Sequence, residues 1–339
     1  MNVCFDNIVG NDALKSRISR DVCEGTVSHA YIIEGPEGVG RNTLAKSIAA
    51  ALSCTSDGQV PCGRCRSCQK IFSDNSPDVK VIGFIDDKVT IGVDRIREIK
   101  EDMATFPGEL SIKVYIIENA ESLTVQAQNS FLLSLEEPPE YVRFFLICES
   151  ANSLLETVRS RAPSLRMSRL GFDEVEDYVL KNDSRARTLA EEEPETFKTV
   201  IHASDGRIGR ARTLLGGRER KAMLEERRIA ESVISLLSSP NRTETMEIVS
   251  TLGIKRASVI KYLTAVECAI RDLILLKKSE NVSLCFYTDK ESAQEIATRF
   301  TSKSLISLYD AISDAVSELE ANSNVRLTVL NMMQRSGLI

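Results

Sequence analysis

The stretch Gly35-Pro36-Glu37-Gly38-Val39-Gly40-Arg41-Asn42-Thr43 constrains this chain more than any other. It follows Tyr31-Ile32-Ile33-Glu34, a run suited to a buried strand, and leads into Thr43 to Leu52, whose pattern is helical. A glycine-rich turn in that setting lets backbone N–H groups curl around phosphates at the helix N-terminus. In an intact loop of this kind a Lys reaches the β and γ phosphates, and the next Ser or Thr hydroxyl binds Mg²⁺. Here Arg41 stands in the Lys position and Asn42 in the hydroxyl position. Arginine keeps the charge but brings a broad planar fork where a slim ammonium belongs. Asn42 offers a metal only an amide oxygen. Taken alone, the stretch reads equally well as a glycine-rich turn ahead of an ordinary helix, so its surroundings decide.

The first half of the chain alternates short apolar runs with amphipathic helical patterns, which predicts a parallel sheet wrapped by helices. Further strands are expected at Val114-Tyr115-Ile116-Ile117 and Phe144-Phe145-Leu146-Ile147-Cys148, with a helix over Ala127 to Glu137 stopped by Pro138-Pro139. After about Pro163 the strand signals fade. A short helix over Phe172 to Leu180 and two within Glu192 to Leu215 precede a hinge at Gly216-Gly217. Long helices are expected from Arg218 through Ser238 with a stop near Pro240, across Ile254 to Lys277, across Asp289 to Glu320, and over Asn324 to Arg335.

With 339 residues the chain has room for two or three domains, and a net charge of −6 argues against a dominant DNA-binding surface. Neither the N-terminus nor the apolar stretch Tyr262 to Leu276, broken by Glu267, Arg271 and Asp272, has the character of a signal peptide or membrane span. Nine cysteines, five of them scattered, favour a reducing cytosol. The other four, Cys54, Cys62, Cys65 and Cys68, form a C-x7-C-x2-C-x2-C array suited to closing a tetrahedron on structural Zn²⁺. Four protein ligands leave no open position for catalysis. The spacing alone also admits an iron–sulfur cluster, although nothing nearby suggests redox chemistry.

Active phosphate-loop ATPases end a buried strand with an Asp, often followed by a Glu, to hold Mg²⁺ and polarise water. This chain has Glu118 and then Asn119, which cannot act as a general base. With Arg41 and Asn42, three of four key positions depart from what hydrolysis needs, and the simplest account is that the domain has stopped hydrolysing ATP. Beyond the third strand, Thr157-Val158-Arg159-Ser160-Arg161 brings basic residues to the carboxyl edge of the sheet, where ligands of such folds bind. An arginine offered there across an interface stabilises charge on a transferring phosphate; the bland alternative is a surface ion pair.

These segments, together with Ile8-Val9-Gly10, Ser28-His29-Ala30-Tyr31, Ile91 to Arg97, Ala127 to Leu133, Leu135-Glu136-Glu137-Pro138-Pro139, Gly206 to Ala211 and Asn322 to Leu327, carry a resemblance along nearly the whole chain. The sequence resembles the delta-prime family of bacterial DNA polymerase III clamp-loader subunits, which are AAA+ proteins. The resemblance implies an AAA+ domain over residues 1–165 with a zinc module at about 54–68, a small helical lid over 166–216, and a helical collar over 217–339. It further implies a heteropentameric ring with gamma/tau and delta subunits, acting on the sliding clamp and on primer–template DNA. Arg161, after Ser160, aligns with the arginine that loader subunits present in trans to a neighbour's ATP. Gly209 occupies the position of the lid arginine that senses nucleotide in motor subunits, with Arg207 and Arg210 nearby. Ala162 stands where the family usually has Cys, a difference expected to matter for packing. The altered loop leaves open whether this chain binds ATP or ADP. Two alternatives stay beside the non-hydrolysing subunit: a working gamma/tau-like motor with Thr43 supplying the metal hydroxyl, and a zinc-bearing adaptor built on an inert AAA+ body.

Overall fold

A computed structural model describes residues 2–84, 90–238, 252, 255–279 and 282–335. The expected helix stop near Pro240 and helix start at Ile254 lie outside these residues. Two compact units emerge, one formed by Met1–Glu174 with Arg207–Gly209, the other by Val175–Gly206 with Arg210–Ile339.

The first unit is a parallel α/β sandwich. Its strands are β1 (Asn2–Val3), β2 (Ala30–Glu34), β3 (Gln59–Val60), β4 (Val79–Ile82), β5 (Lys113–Ile117), β6 (Val142–Cys148) and β7 (Ser164–Arg166). Its helices are α1 (Asp12–Glu24), α2 (Arg41–Ser53), α3 (Arg66–Phe72), α4 (Val93–Met103), α5 (Val125–Glu136) and α6 (Glu156–Arg159). Five strands pair in parallel in the order β4-β5-β6-β2-β7, with Ile32 opposite Leu146 and Ile116 opposite Phe145; β1 and β3 form a separate short pair. The continuous apolar runs of β2, β5 and β6 follow from burial on both faces, as parallel sheets require. Alternate residues divide between two cores. Tyr31, Ile33, Val114, Ile116, Phe145 and Ile147 pack with Leu44 and Ile48 of α2 on one face. Ala30, Ile32, Tyr115, Ile117, Phe144 and Leu146 pack with Ile96, Ile99, Phe131 and Leu135 of α4 and α5 on the other. All five strands run the same way, so the segments after β2, β5 and β6 emerge at one edge.

The second unit is helical: α7 (Phe172–Asn182, entered from the first unit), α8 (Ser184–Glu192), α9 (Pro194–Ser204), α10 (Ile208–Leu214, of which Ile208 and Gly209 belong to the first unit), α11 (Gly217–Ser238), α12 (Arg256–Lys278), α13 (Lys290–Thr298), α14 (Ser302–Glu320) and α15 (Val325–Arg335). Helix α8 was not anticipated from the sequence, and the single helix expected across Asp289 to Glu320 is two. The break falls at Thr301, whose side chain accepts the Ser304 N–H and starts α14 afresh. Val259, Leu263, Val266, Ile270 and Leu273 of α12 form the centre of its core with Leu305, Leu308 and Ile312 of α14. Asp272 is fully buried there, accepting the N–H groups of Phe286 at 2.7 Å and Tyr287 at 3.3 Å. Burial pushes its carboxyl above the ordinary range despite those bonds. Among the described residues, no helix is long and apolar enough to cross a membrane.

Candidate nucleotide-binding edge and cysteine cluster

The loop from Gly35 to Gly40 joins β2 to α2 at the carboxyl edge of the sheet. Gly35 is required by close approach: a Cβ there would stand 2.5 Å from the Met167 carbonyl oxygen. Its N–H donates to the carbonyls of Cys148 and Glu149 at 3.3 and 3.2 Å. Gly38 and Gly40 take positive φ, and Gly40 opens α2 without a side-chain cap. The strand–glycine loop–helix arrangement expected from the sequence is present, with Arg41, Asn42 and Thr43 as the first helical residues.

The side chains around it follow another logic. Asn42 Nδ2 donates directly to Glu118 Oε1, joining the start of α2 to the end of β5. Asn42 Oδ1 and Glu121 Oε2 are buried without a hydrogen-bond partner among the described residues. Thr43 is exposed. Arg41 is half-buried and near Cys148, whose thiol is pushed up to about 12 by burial and then by the charges of Glu121 and Glu34, with Arg41 acting against them. Asn119 lies in the left-handed region at φ 49°, ψ 50°, with its carbonyl accepting the N–H of Ser122 at 2.8 Å. Asparagine tolerates that conformation better than most residues.

Gly209 also meets this loop. Its N–H donates to the Gly38 carbonyl at 2.8 Å, and an added Cβ would lie 2.8 Å from Gly38 Cα. Any side chain at position 209 would displace the phosphate loop itself.

Arg161 follows the short helix α6 and is 32% exposed. Its Nε donates to Glu136 Oε1 at 2.7 Å, and Nη2 donates to the same oxygen. Nη1 donates to the Thr157 carbonyl at 2.8 Å and to Ser160 Oγ at 3.1 Å. Arg159 donates to Asn152 Oδ1 at 3.2 Å instead. Ala162 is buried among the apolar side chains of the α4–α5 face.

Sequence reasoning missed several residues that brace this edge. Gln128, buried on α5, donates to the Leu123 carbonyl at 3.1 Å and accepts the Leu155 N–H at 2.8 Å, linking the segment after β5 to the start of α6. Glu34 accepts the Ala151 N–H at 2.8 Å and Ser164 Oγ at 2.9 Å. A polar residue amid the apolar spacing of Ala127, Phe131 and Leu135 was the available signal for Gln128. Glu136 was singled out in sequence as part of Leu135-Glu136-Glu137-Pro138-Pro139, but without a partner.

The four cysteines converge as their spacing predicted. Cys54 ends α2 and Cys65 caps α3, and all four Sγ atoms lie within 4.8 Å of one another. Cys54 and Cys65 sulfurs are 4.0 Å apart, near the ~3.8 Å edge of a tetrahedron with Zn–S bonds of ~2.3 Å. Backbone N–H groups point at the sulfurs: Cys62 toward Cys54 at 3.4 Å, Cys65 toward Cys62 at 3.3 Å, and Cys68 toward Cys65 at 3.5 Å. Burial opposes ionisation of Cys65, but the N–H groups of Cys68 and Thr55 outweigh it and hold the thiol at about 6. Cys62 is lowered by N–H groups of Arg64 and Cys65, whereas burial raises Cys68. Four soft donors supplied with N–H groups that stabilise thiolate fit a closed structural zinc site.

A parallel β4-β5-β6-β2-β7 sheet, a glycine loop between β2 and α2, and an acidic residue ending β5 define a phosphate-loop domain of the AAA+ class. Comparison with known proteins narrows the class. Residues 10–171 match the family described as DNA polymerase III, delta subunit. The chain is 35% identical over 167 residues to DNA polymerase III subunit delta' of Bacillus subtilis, covering 48% of this chain and 50% of that protein. It is 24% identical over 339 residues to subunit tau of the same organism, covering 95% of this chain and 59% of that protein. A solved DNA polymerase III gamma subunit-related protein of Thermotoga maritima aligns over 95% of this chain and 98% of its own, with 19% identity and a TM-score of 0.43. Over residues 10–171 the chain is similar to DNA polymerase III clamp-loader subunits. It spans half to three fifths of the length of the two curated relatives named here.

Proposed function

We propose that this chain is a delta-prime-type, largely non-hydrolysing member of a clamp-loader ring that supplies Arg161 to the ATP site of an adjacent motor subunit. The observation that carries the reading is the direct Asn42–Glu118 hydrogen bond. It joins the two side chains that would share Mg²⁺ in a hydrolysing site, while Arg161 stands intact at the same sheet edge. Asn119 and Gly209 support it, since one lacks a general base and the other has no room for a sensing side chain. Exposed Thr43 speaks against a one-residue shift of the metal hydroxyl. Exposed Val125 and Leu133 on α5, the helix that ends at Glu136, suit a face covered by a neighbour. In this reading residues 166–216 act as a lid and residues 217–339 contribute to a collar. The cysteine cluster holds structural zinc, and the clamp and primed DNA are engaged through the whole assembly.

The match to tau keeps a gamma/tau-like motor as the rival. Steady-state ATP turnover by the purified chain separates the two: the proposal expects no turnover above background, and sustained hydrolysis would establish the motor. Reconstitution of the loader with Arg161→Ala tests the trans role, with loss of DNA-stimulated hydrolysis expected.

A further inference from the structure

The cradle around Arg161 leaves little of the guanidinium unassigned. An arginine has five N–H donors in a rigid fork. Two go to Glu136 Oε1, one to the Thr157 carbonyl and one to Ser160 Oγ. Among the described residues, the second N–H of Nη2 is the one donor of Arg161 without an acceptor. Thr157 and Ser160 lie within four residues of Arg161, but Glu136 comes from 25 residues earlier, at the end of α5. That helix is anchored by buried Phe131 and Leu135 and stopped by Pro138. A carboxylate on a rigid element therefore sets the rotation of a guanidinium that otherwise has only local contacts.

We infer that Glu136 is a positioning residue for Arg161, fixing the guanidinium so that its remaining Nη2–H faces the neighbouring subunit's phosphates. This rests on the reading of Arg161 as a trans-acting group. Glu136 itself touches no nucleotide; it acts through Arg161. One oxygen accepts both bonds, so the geometry needs an acceptor at this reach more than it needs a full negative charge. Glutamine keeps the reach, whereas aspartate keeps the charge and withdraws the oxygen by one methylene. Displacing a reacting group by about 1 Å costs up to ~10²-fold in rate.

The test is DNA-stimulated ATP hydrolysis by the reconstituted loader carrying wild-type chain, Arg161→Ala, Glu136→Ala, Glu136→Asp, Glu136→Gln, or Glu136→Ala with Arg161→Ala. Glu136→Ala and Glu136→Asp should lower kcat by about 10- to 100-fold with KM for ATP within about twofold. Glu136→Gln should restore most of kcat, and Glu136→Ala should cost nothing further once Arg161 is gone. If Arg161→Ala is inactive while Glu136→Ala and Glu136→Asp turn over at the wild-type rate, the positioning role is wrong and the trans reading survives. A faster Glu136→Ala, or an additional loss in the double variant, also overturns it. Should Arg161→Ala be as active as wild type, the trans reading and this inference fall together.

Discussion

The glycine loop and the Arg161 segment sit at the same edge of one sheet and are held in opposite ways. The loop has glycines fitted against Met167 and Gly38 fitted against Gly209, while Asn42 at its helical end bonds to Glu118 beyond β5. At Arg161 the backbone is an unremarkable helical turn, and the side chain is the part held with care. Arg161 donates four hydrogen bonds at a partly exposed position, an arrangement that costs ordering entropy and suits the trans role proposed for it.

The sharpest way to break this comparison is Arg161→Ala in the reconstituted loader. A group acting on a transferring phosphate should cost on the order of 10³-fold or more in hydrolysis at the adjoining site. Loss of the proposed zinc comes next. Cys65→Ala, or strong chelation of the chain, should release about one zinc per chain and lower the melting temperature by on the order of 10 °C, measured by metal analysis and calorimetry. Chelation that leaves the melt unchanged would remove the cluster's structural role. Reverting the loop with Arg41→Lys, Asn42→Thr and Asn119→Glu together should raise nucleotide affinity by about tenfold in equilibrium binding, through the restored phosphate and Mg²⁺ contacts. It should give little turnover, since Gly209 still denies the site a sensing side chain.

Smaller effects sharpen the contrast between scaffold and side chains. Gly209→Ala places a Cβ against Gly38 and should cost about 1–3 kcal/mol in denaturant unfolding. Asp78 provides a control at the opposite edge, just before β4, where it accepts the N–H groups of Gly108, Glu109 and Leu110 at 2.8, 2.7 and 2.8 Å. Burial opposes its ionisation, but those three bonds together hold its carboxyl below the ordinary value. A depressed carboxylate stabilises the fold above its unfolded pKa and loses that contribution as pH falls through the folded one. Asp78→Asn should therefore cost about 1–3 kcal/mol at pH 7, with the deficit shrinking below pH ~4, while assembled ATPase activity is unchanged.

Much of this was legible in sequence because it is local. The continuous apolar runs predicted β2, β5 and β6, and the turn residues around Cys62 and Cys65 predicted a converging cluster. The split of residues 290–320 into two helices was harder to read, since Thr301 is a cap only once its neighbours turn. Asn119 reads in sequence as a lost base, whereas in three dimensions its left-handed backbone gives asparagine a conformational reason as well. Glu136 was read as part of the segment Leu135 to Pro139, but its bond to an arginine 25 residues later is visible only in the fold.

The sequence by itself determined the parallel α/β class, the glycine loop with its substituted Lys and hydroxyl positions, the four-cysteine array and the basic segment after the third strand. These follow from residue type and short-range spacing. The tertiary structure alone decided that Asn42 bonds to Glu118, that Gly209 must be a glycine because Gly38 lies against it, and that Glu136 holds Arg161. Each is a contact between segments far apart in the chain, fixed by the order in which parallel strands assemble, and no local periodicity encodes it.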